Sequence, residues 1–263
     1  MRQALIGGVI AVAAWAICGP AGATIADGSQ GGNSELFLSV ADESKKVSYF
    51  RDLGITFDQF LANPSQPYSF APDANWSNFL AVPGIDSTNL IYNVAGLSTP
   101  GVNPRYLSTV QVGLDPTDPS NVPFSSLLST SFPIVNSYVQ DNNSLPNDQK
   151  NHSTHGTQLN GSNIAFSGDT PFAYFGDGFG RDWQGNAPFD STQTIGNPLA
   201  FWLITEGSSP VGQADVQVEP GQWLLSTNGA LTYGVASVPE EHSWAVLVCG
   251  LVAMAAFVRR RIS

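Results

Sequence analysis

QWLLSTNGALTYGV, residues 222–235, is the stretch that decides the fold of this 263-residue chain. Two short apolar runs, 222–227 and 230–235, flank the dipeptide Asn228-Gly229. A type I′ turn needs positive φ at both central residues, and Asn-Gly adopts that conformation easily. The stretch therefore predicts two antiparallel strands joined by a two-residue hairpin turn.

The chain outside this hairpin repeats the same kind of pattern. Residues 198–205 and 214–218 are further strand candidates, and residues 34–40 and 47–51 indicate a second hairpin closer to the N-terminus. The 26 glycines and 18 prolines favour many short strands joined by turns over long helices. We therefore predict a mainly β protein, an antiparallel β-sandwich with one or two short helices.

Three other segments carry local predictions. Residues 56–63 read as a short helix with Thr56 as its N-cap, and the apolar residues of 125–140 have helix-like spacing. Residues 76–82 have the apolar content of a strand. No internal repeat of fixed period accompanies these elements.

The N-terminal end has the layout of a secretory signal peptide. Arg2 precedes an apolar run over residues 4–17, and Ala21 and Ala23 supply the small residues of a cleavage site. We assign residues 1–23 to this signal and expect export through the Sec translocon, with cleavage after Ala23.

The C-terminal end has three parts. The box Val238-Pro239-Glu240-Glu241 precedes an apolar run, residues 244–258, and a cluster of three arginines, residues 259–261. As a helix, the apolar run would be about 22 Å long, somewhat less than the roughly 30 Å of a hydrocarbon core. The arginines can reach the headgroups and hold the C-terminus on the cytoplasmic side. We therefore expect a C-terminal transmembrane helix, with 24–237 as the exported domain and 238–263 as a tail.

This tail resembles the PEP-CTERM sorting signal of exported proteins of Gram-negative bacteria. The matching residues are Val238, Pro239, Glu240, Trp244, Ala245, Gly250, Arg259, Arg260 and Arg261, whereas Glu241 stands where the family most often has a second proline. The resemblance implies processing by an exosortase near the Pro-Glu box after transient anchoring in the inner membrane. It also implies a final place at the cell surface or in a biofilm matrix, with exopolysaccharide as a partner. An ordinary single-pass tail anchor is the alternative.

Charge and cysteine content narrow the function classes. Residues 24–241 hold six basic and 21 acidic residues, a net charge of −15. Such a surface repels phosphate backbones, so we expect no nucleic-acid partner. Both cysteines, Cys18 and Cys249, lie in the predicted targeting segments, so the exported domain has no disulfide and no thiol nucleophile.

Three groups of residues could carry chemistry. His152 and His155 are three residues apart and could share a metal ion, although no His-Glu-x-x-His motif marks a third ligand, and a solvated loop pair is the alternative. Asp177 and Asp182 flank a glycine-rich loop that could bind calcium or form a plain tight turn. Trp183, next to that loop, is the best candidate for an exposed ring that stacks on a sugar.

Catalytic motifs are missing from the sequence. It contains no Gly-x-Ser-x-Gly, no Walker-type glycine-lysine loop and no dinucleotide fingerprint, and sequence alone does not pair two carboxylates for glycoside hydrolysis. We therefore expect a non-enzymatic exported protein with no catalytic residues and no cofactor beyond the possible calcium ion. The alternative is a secreted hydrolase or lyase that acts on polysaccharide, or a carbohydrate-binding module.

Overall fold

The computed structural model describes residues 24–99 and 103–235 of the chain. The strands are β1 Glu35–Asp42, β2 Val47–Thr56, β3 Tyr68–Phe70, β4 Ile91–Ser98, β5 Arg105–Gln111, β6 Ser162–Phe166, β7 Gln193–Thr194, β8 Leu199–Thr205, β9 Asp215–Leu225 and β10 Leu231–Val235. The α-helices are α1 Phe57–Ala62, α2 Ala74–Leu80, α3 Ser125–Ser144 and α4 Phe175–Gly178. The prediction of a mainly β protein is confirmed.

All ten strands belong to one antiparallel sheet rather than to two stacked sheets. Its order is β3-β10-β9-β8-β5-β4-β1-β2-β6, and β7 pairs with β4 outside this path. The sheet curls so that its two edges approach each other. A hydrogen bond joins them: Arg51 of β2 donates to the carbonyl of Ala71, just after β3, at 2.7 Å. The expected sandwich is therefore replaced by a single curled sheet that encloses one core and carries a second core on its outer face.

The hairpin at 222–235 forms as predicted, with Leu225 of β9 opposite Leu231 of β10. Its turn is different from the prediction. Gly229 has a φ of +87°, and its N–H donates to the carbonyl of Ser226, whereas Asn228 has no positive φ. This is the longer loop with glycine in the left-handed position, in which the Asn228 side chain accepts a hydrogen bond from the Ala230 N–H at 3.1 Å.

The inner core is closed by two short helices. The Thr56 side chain accepts from the Gln59 N–H while the Gln59 side chain accepts from the Thr56 N–H, so the predicted N-cap of α1 is confirmed as a full capping box. The prediction of a strand at 76–82 was wrong. Asp73 accepts from the Trp76 N–H at 2.9 Å and starts α2 there, which turns Trp76 into the core. Inner-core residues include Leu36, Val40, Tyr49, Phe60, Phe201, Trp223 and Tyr233.

The outer core lies under α3, which confirms the predicted helical region at 125–140 and extends it to Ser144. Successive residues of β1 face the two cores alternately: Leu36 and Leu38 the inner core, Phe37 the outer one. A strand covered on both faces is apolar in both phases. The outer core includes Phe50, Tyr106, Tyr138, Phe179, Trp183 and Trp202.

The two ends of the sheet differ in what they carry. Following the antiparallel pairings, β1 and β10 run in opposite directions. The turn after Asp42 therefore lies at one end of the strands, which we call the hairpin end. The chain leaves β10 at Val235 towards the other end, which we call the exit end. No helix within 24–99 or 103–235 has the length and apolar character needed to cross a bilayer.

Candidate functional site

The glycine-rich loop that the sequence singled out, residues 176–182, begins within α4, and irregular chain follows it as far as Asp190; we call residues 176–190 the glycine-rich loop from here on. Its backbone takes a left-handed path at two consecutive residues, Trp183 with φ +54° and Gln184 with φ +57°. Each such non-glycine residue costs about 1–2 kcal/mol. Burial of the Trp183 side chain offsets that cost, because its ring is fully buried and stacks on Tyr106 at 4.9 Å between centroids. The Trp183 Nε1 donates to Ser108 Oγ at 3.3 Å.

The expectation that Trp183 presents an exposed ring was wrong. The ring is 0% exposed, so it has no free face for a sugar to stack on. The polar neighbours Asp182 and Gln184 suggested exposure, but the two positive φ values turn the chain so that only the ring points inward. Trp183 anchors the loop onto the outer core.

A single guanidinium ties this loop to the hairpin end. Arg181 donates to both carboxylate oxygens of Glu43, through Nη2 at 2.6 Å and Nε at 2.9 Å, and Nη1 donates to Asp190 at 3.1 Å. These hydrogen bonds raise the pKa of Arg181, and the hydrogen bond to Glu43 contributes most. Glu43 is 138 positions from Arg181 in the sequence, so sequence reasoning had no signal for this pair.

An open depression of about 580 Å³ lies beside this clamp. Its walls combine charged side chains, Glu43, Arg181, Asp182 and Asp190, with glycines and the edge of Phe189. Both Glu43 and Asp190 already accept hydrogen bonds from the guanidinium, so neither carboxylate is free to act alone. The arrangement can hydrogen-bond a small polar ligand.

The two predicted calcium ligands have separate local roles. Asp177 accepts from Ser167 Oγ at 2.8 Å, and Asp182 accepts from the Gly185 N–H at 2.9 Å. Only Asp182 lines the depression. Within the part of the chain that the structure describes, no group of three or more His, Cys, Asp or Glu residues is placed to hold a metal ion. Calcium binding at this loop stays a prediction.

The two histidines occupy different surroundings. His152 lines a small depression beside Lys150 and Phe166, whereas the ring of His155 packs on that of Phe50 at 5.8 Å. His155 as a residue is only half-buried, yet both ring nitrogens are buried and have no hydrogen-bond partner among the described residues. Burial lowers the pKa of His155 to about 4, against the opposing charge of Asp73. A metal shared by the two histidines stays a prediction.

A buried carboxylate escaped the sequence analysis altogether. Asp52 of β2 is 2% exposed, and burial, followed by the nearby charge of Glu35, raises its pKa to about 7. Its Oδ1 accepts from the Gly54 N–H at 2.7 Å. Gly54 has a φ of +60°, which favours glycine, and a Cβ there would displace the Asn160 side chain. Had the predicted strand been extended beyond residue 51, its period of two would have placed Asp52 on the buried face with Phe50.

The predicted targeting residues lie outside the described residues. This holds for Ala21 and Ala23 of the signal, for the box Val238, Pro239, Glu240 and Glu241, and for the anchor residues Trp244, Gly250, Arg259, Arg260 and Arg261. The assignments of these residues therefore stay predictions.

Comparison with known proteins adds no relative. No protein-family model, no curated protein and no solved structure matches this chain. The function has to be argued from the sequence and the fold together.

Proposed function

We propose that this chain is an exported, non-enzymatic protein of the cell surface or the extracellular polysaccharide matrix, sorted by an exosortase through its C-terminal tail. One observation carries the proposal. Every described strand and helix lies between the predicted cleavage site after Ala23 and the box that begins at Val238, with β10 ending at Val235. Cleavage at both predicted sites would therefore keep all of these elements in the mature chain.

Details of the N-terminal boundary support this reading. Ile25 is buried, and its N–H donates to the Asn143 side chain at 3.0 Å, while the Ala26 N–H donates to Glu35 at 2.7 Å. The domain thus uses the first residues of the expected mature chain. It reaches a stable core without a disulfide, through two aromatic-rich clusters.

Intact-mass measurement tests the proposal. The protein is recovered from a host with an exosortase and from the same host lacking that enzyme. We expect loss of residues 1–23 in both, and loss of a piece beginning near Val238 only when the enzyme is present. The variant Pro239→Ala should block the second cut, whereas Pro220→Ala, a proline inside β9, should not. An intact tail in both hosts would leave a permanently anchored domain and refute sorting by exosortase.

A second candidate function is binding of a carbohydrate, favoured by the depression at Arg181. Planar side chains such as Arg181, Glu43 and Asp182 can hydrogen-bond neighbouring hydroxyl groups. Because both Glu43 and Asp190 accept from Arg181, the depression suits binding better than hydrolysis, which needs one carboxyl group as a proton donor. Calorimetric titration with the host's own exopolysaccharide tests this: binding should disappear in Arg181→Ala and persist in Arg105→Ala, an arginine on β5.

A further inference from the structure

The exit end of the sheet carries exposed apolar side chains from two loops. Phe124, just before α3, is 55% exposed, and Val211 is 80% exposed. The loops are joined, because the Ser125 N–H donates to the carbonyl of Gly212 at 2.8 Å and Phe124 forms a bridge with Gln213. We call these two side chains the Phe124 patch.

The surroundings of Phe124 are uncharged and mostly apolar. A groove of about 330 Å³ runs beside it, lined among others by Pro119, Pro123 and Leu127, and none of its lining residues is charged. A patch of two side chains is smaller than the apolar surfaces that by themselves mark an interface, so its position on the molecule has to identify what covers it. The question is which surface covers it.

The course of the chain points to the bilayer. β10 ends at Val235, opposite Gly221, and is directed towards Asp215 at the start of β9. The six residues from Gly221 to Asp215 span about 20 Å at about 3.3 Å each, and Gln213, which bridges Phe124, lies two residues further. The eight residues 236–243 that precede the apolar run can reach at most about 27 Å. The tether is thus about as long as the distance from Val235 to the patch.

We infer that the Phe124 patch rests on the surface of the bilayer while the chain is anchored by residues 244–258. The inference rests on the proposed function, since it needs the tail to enter a membrane. Two apolar side chains bind a bilayer weakly by themselves. The anchor holds the domain beside the bilayer, and contact of the patch requires a nearly fully extended tether. The net charge of −15 over residues 24–241 favours a zwitterionic surface over an anionic one. The groove beside Phe124 adjoins the Arg181 depression, because Gly185, Ala187 and Pro188 line both.

Site-specific fluorescence tests the inference on the full chain in nanodiscs of phosphatidylcholine. Cys18 and Cys249 are both replaced by serine, and an environment-sensitive dye is attached to Val211→Cys. The matched control is Val112→Cys, 49% exposed after β5 at the hairpin end. With brominated lipid, we expect the dye at position 211 to lose fluorescence and the dye at 112 to keep it. Phe124→Gln should reduce the loss at 211. Glutamine is chosen because Phe124 is the N-cap of α3, where serine would add a capping hydrogen bond and change the stability.

The outcomes separate the inference from the proposed function. A chain that does not co-elute with nanodiscs has no membrane anchor, and both proposals fall. A chain that co-elutes but shows no quenching at 211, or equal quenching at 211 and 112, overturns the docking alone. A dye response at 211 that appears without lipid and grows with protein concentration would mean that a second copy covers the patch, and would also overturn the inference.

Discussion

Asp52 should make the folded domain less stable as the pH rises, and replacing it by asparagine should remove that loss. The carboxyl group is buried beside Glu35, and its pKa is raised from 3.8 to about 7. Asparagine has nearly the same shape and keeps an oxygen for the Gly54 N–H. Asp52→Asn therefore removes the ionisation without opening a cavity.

The magnitude follows from the pKa difference between the folded and unfolded states. A pKa raised by folding gives stability that is fully present below pH 3.8 and is lost as the pH rises through about 7. At about 1.4 kcal/mol per pKa unit, the loss amounts to about 4 kcal/mol. Asp52→Asn should thus match the parent near pH 4 and exceed its free energy of unfolding by up to about 4 kcal/mol at pH 8.

Urea unfolding of residues 24–237 at a series of pH values from 4 to 8 measures this difference. Asp215→Asn is the matched control, because it removes the same charge from an exposed position at the start of β9. The control should not reproduce the gain at pH 8. Parallel stability curves for the parent and Asp52→Asn across the whole range would refute the reasoning, since they would mean that Asp52 is already ionised at low pH in the folded domain.

Three further predictions concern the histidine loop, the glycine-rich loop and the first helix. Burial lowers the pKa of His155 from 6.5 to about 4. The stability that neutral His155 contributes is therefore present above pH 6.5 and is lost as the pH falls through 4, about 3 kcal/mol in all. In urea unfolding, His155→Phe should remove this part of the acid sensitivity, and His152→Gln should not. Trp183→Ala should cost about 3–5 kcal/mol of unfolding free energy through the lost contact with Tyr106, and Trp183→Phe clearly less; equal losses would contradict the anchoring role of the indole. Thr56→Ala should lower the unfolding free energy by about 1 kcal/mol, and Thr56→Ser should restore most of it.

Aromatic contacts in the inner core join α1 to strands that are distant in the sequence. In the inner core, Phe60 meets Phe201 and Tyr233 edge to face, at 5.1 and 5.3 Å between centroids. Phe60 belongs to α1, whereas the other two residues belong to β8 and β10. The helix that Thr56 caps is therefore held against strands that lie far from it in the sequence.

Sequence alone determined the features whose cause is local. The hairpin at Asn228-Gly229, the N-cap at Thr56 and the helix at 125–140 each depend on residues a few positions apart, and each is present in the fold. The two terminal patterns are equally local, and they lead to the expectation of export and sorting. The turn type still differs from the prediction, because the Ser226 N–H donates to the Ala230 carbonyl and the loop is longer than two residues.

Tertiary structure alone decided what depends on distant partners. Residues 76–82 are apolar enough for a strand, but Asp73 caps a helix there and the inner core accepts Trp76. Trp183 is buried because Tyr106 and Ser108 of β5 offer a surface that the local sequence does not show. The raised pKa of Asp52 has the same origin, since burial is a property of the packed molecule. The local sequence indicates which side chains have suitable chemistry, and tertiary packing determines which of them are exposed to solvent, lie near a charge or contact one another.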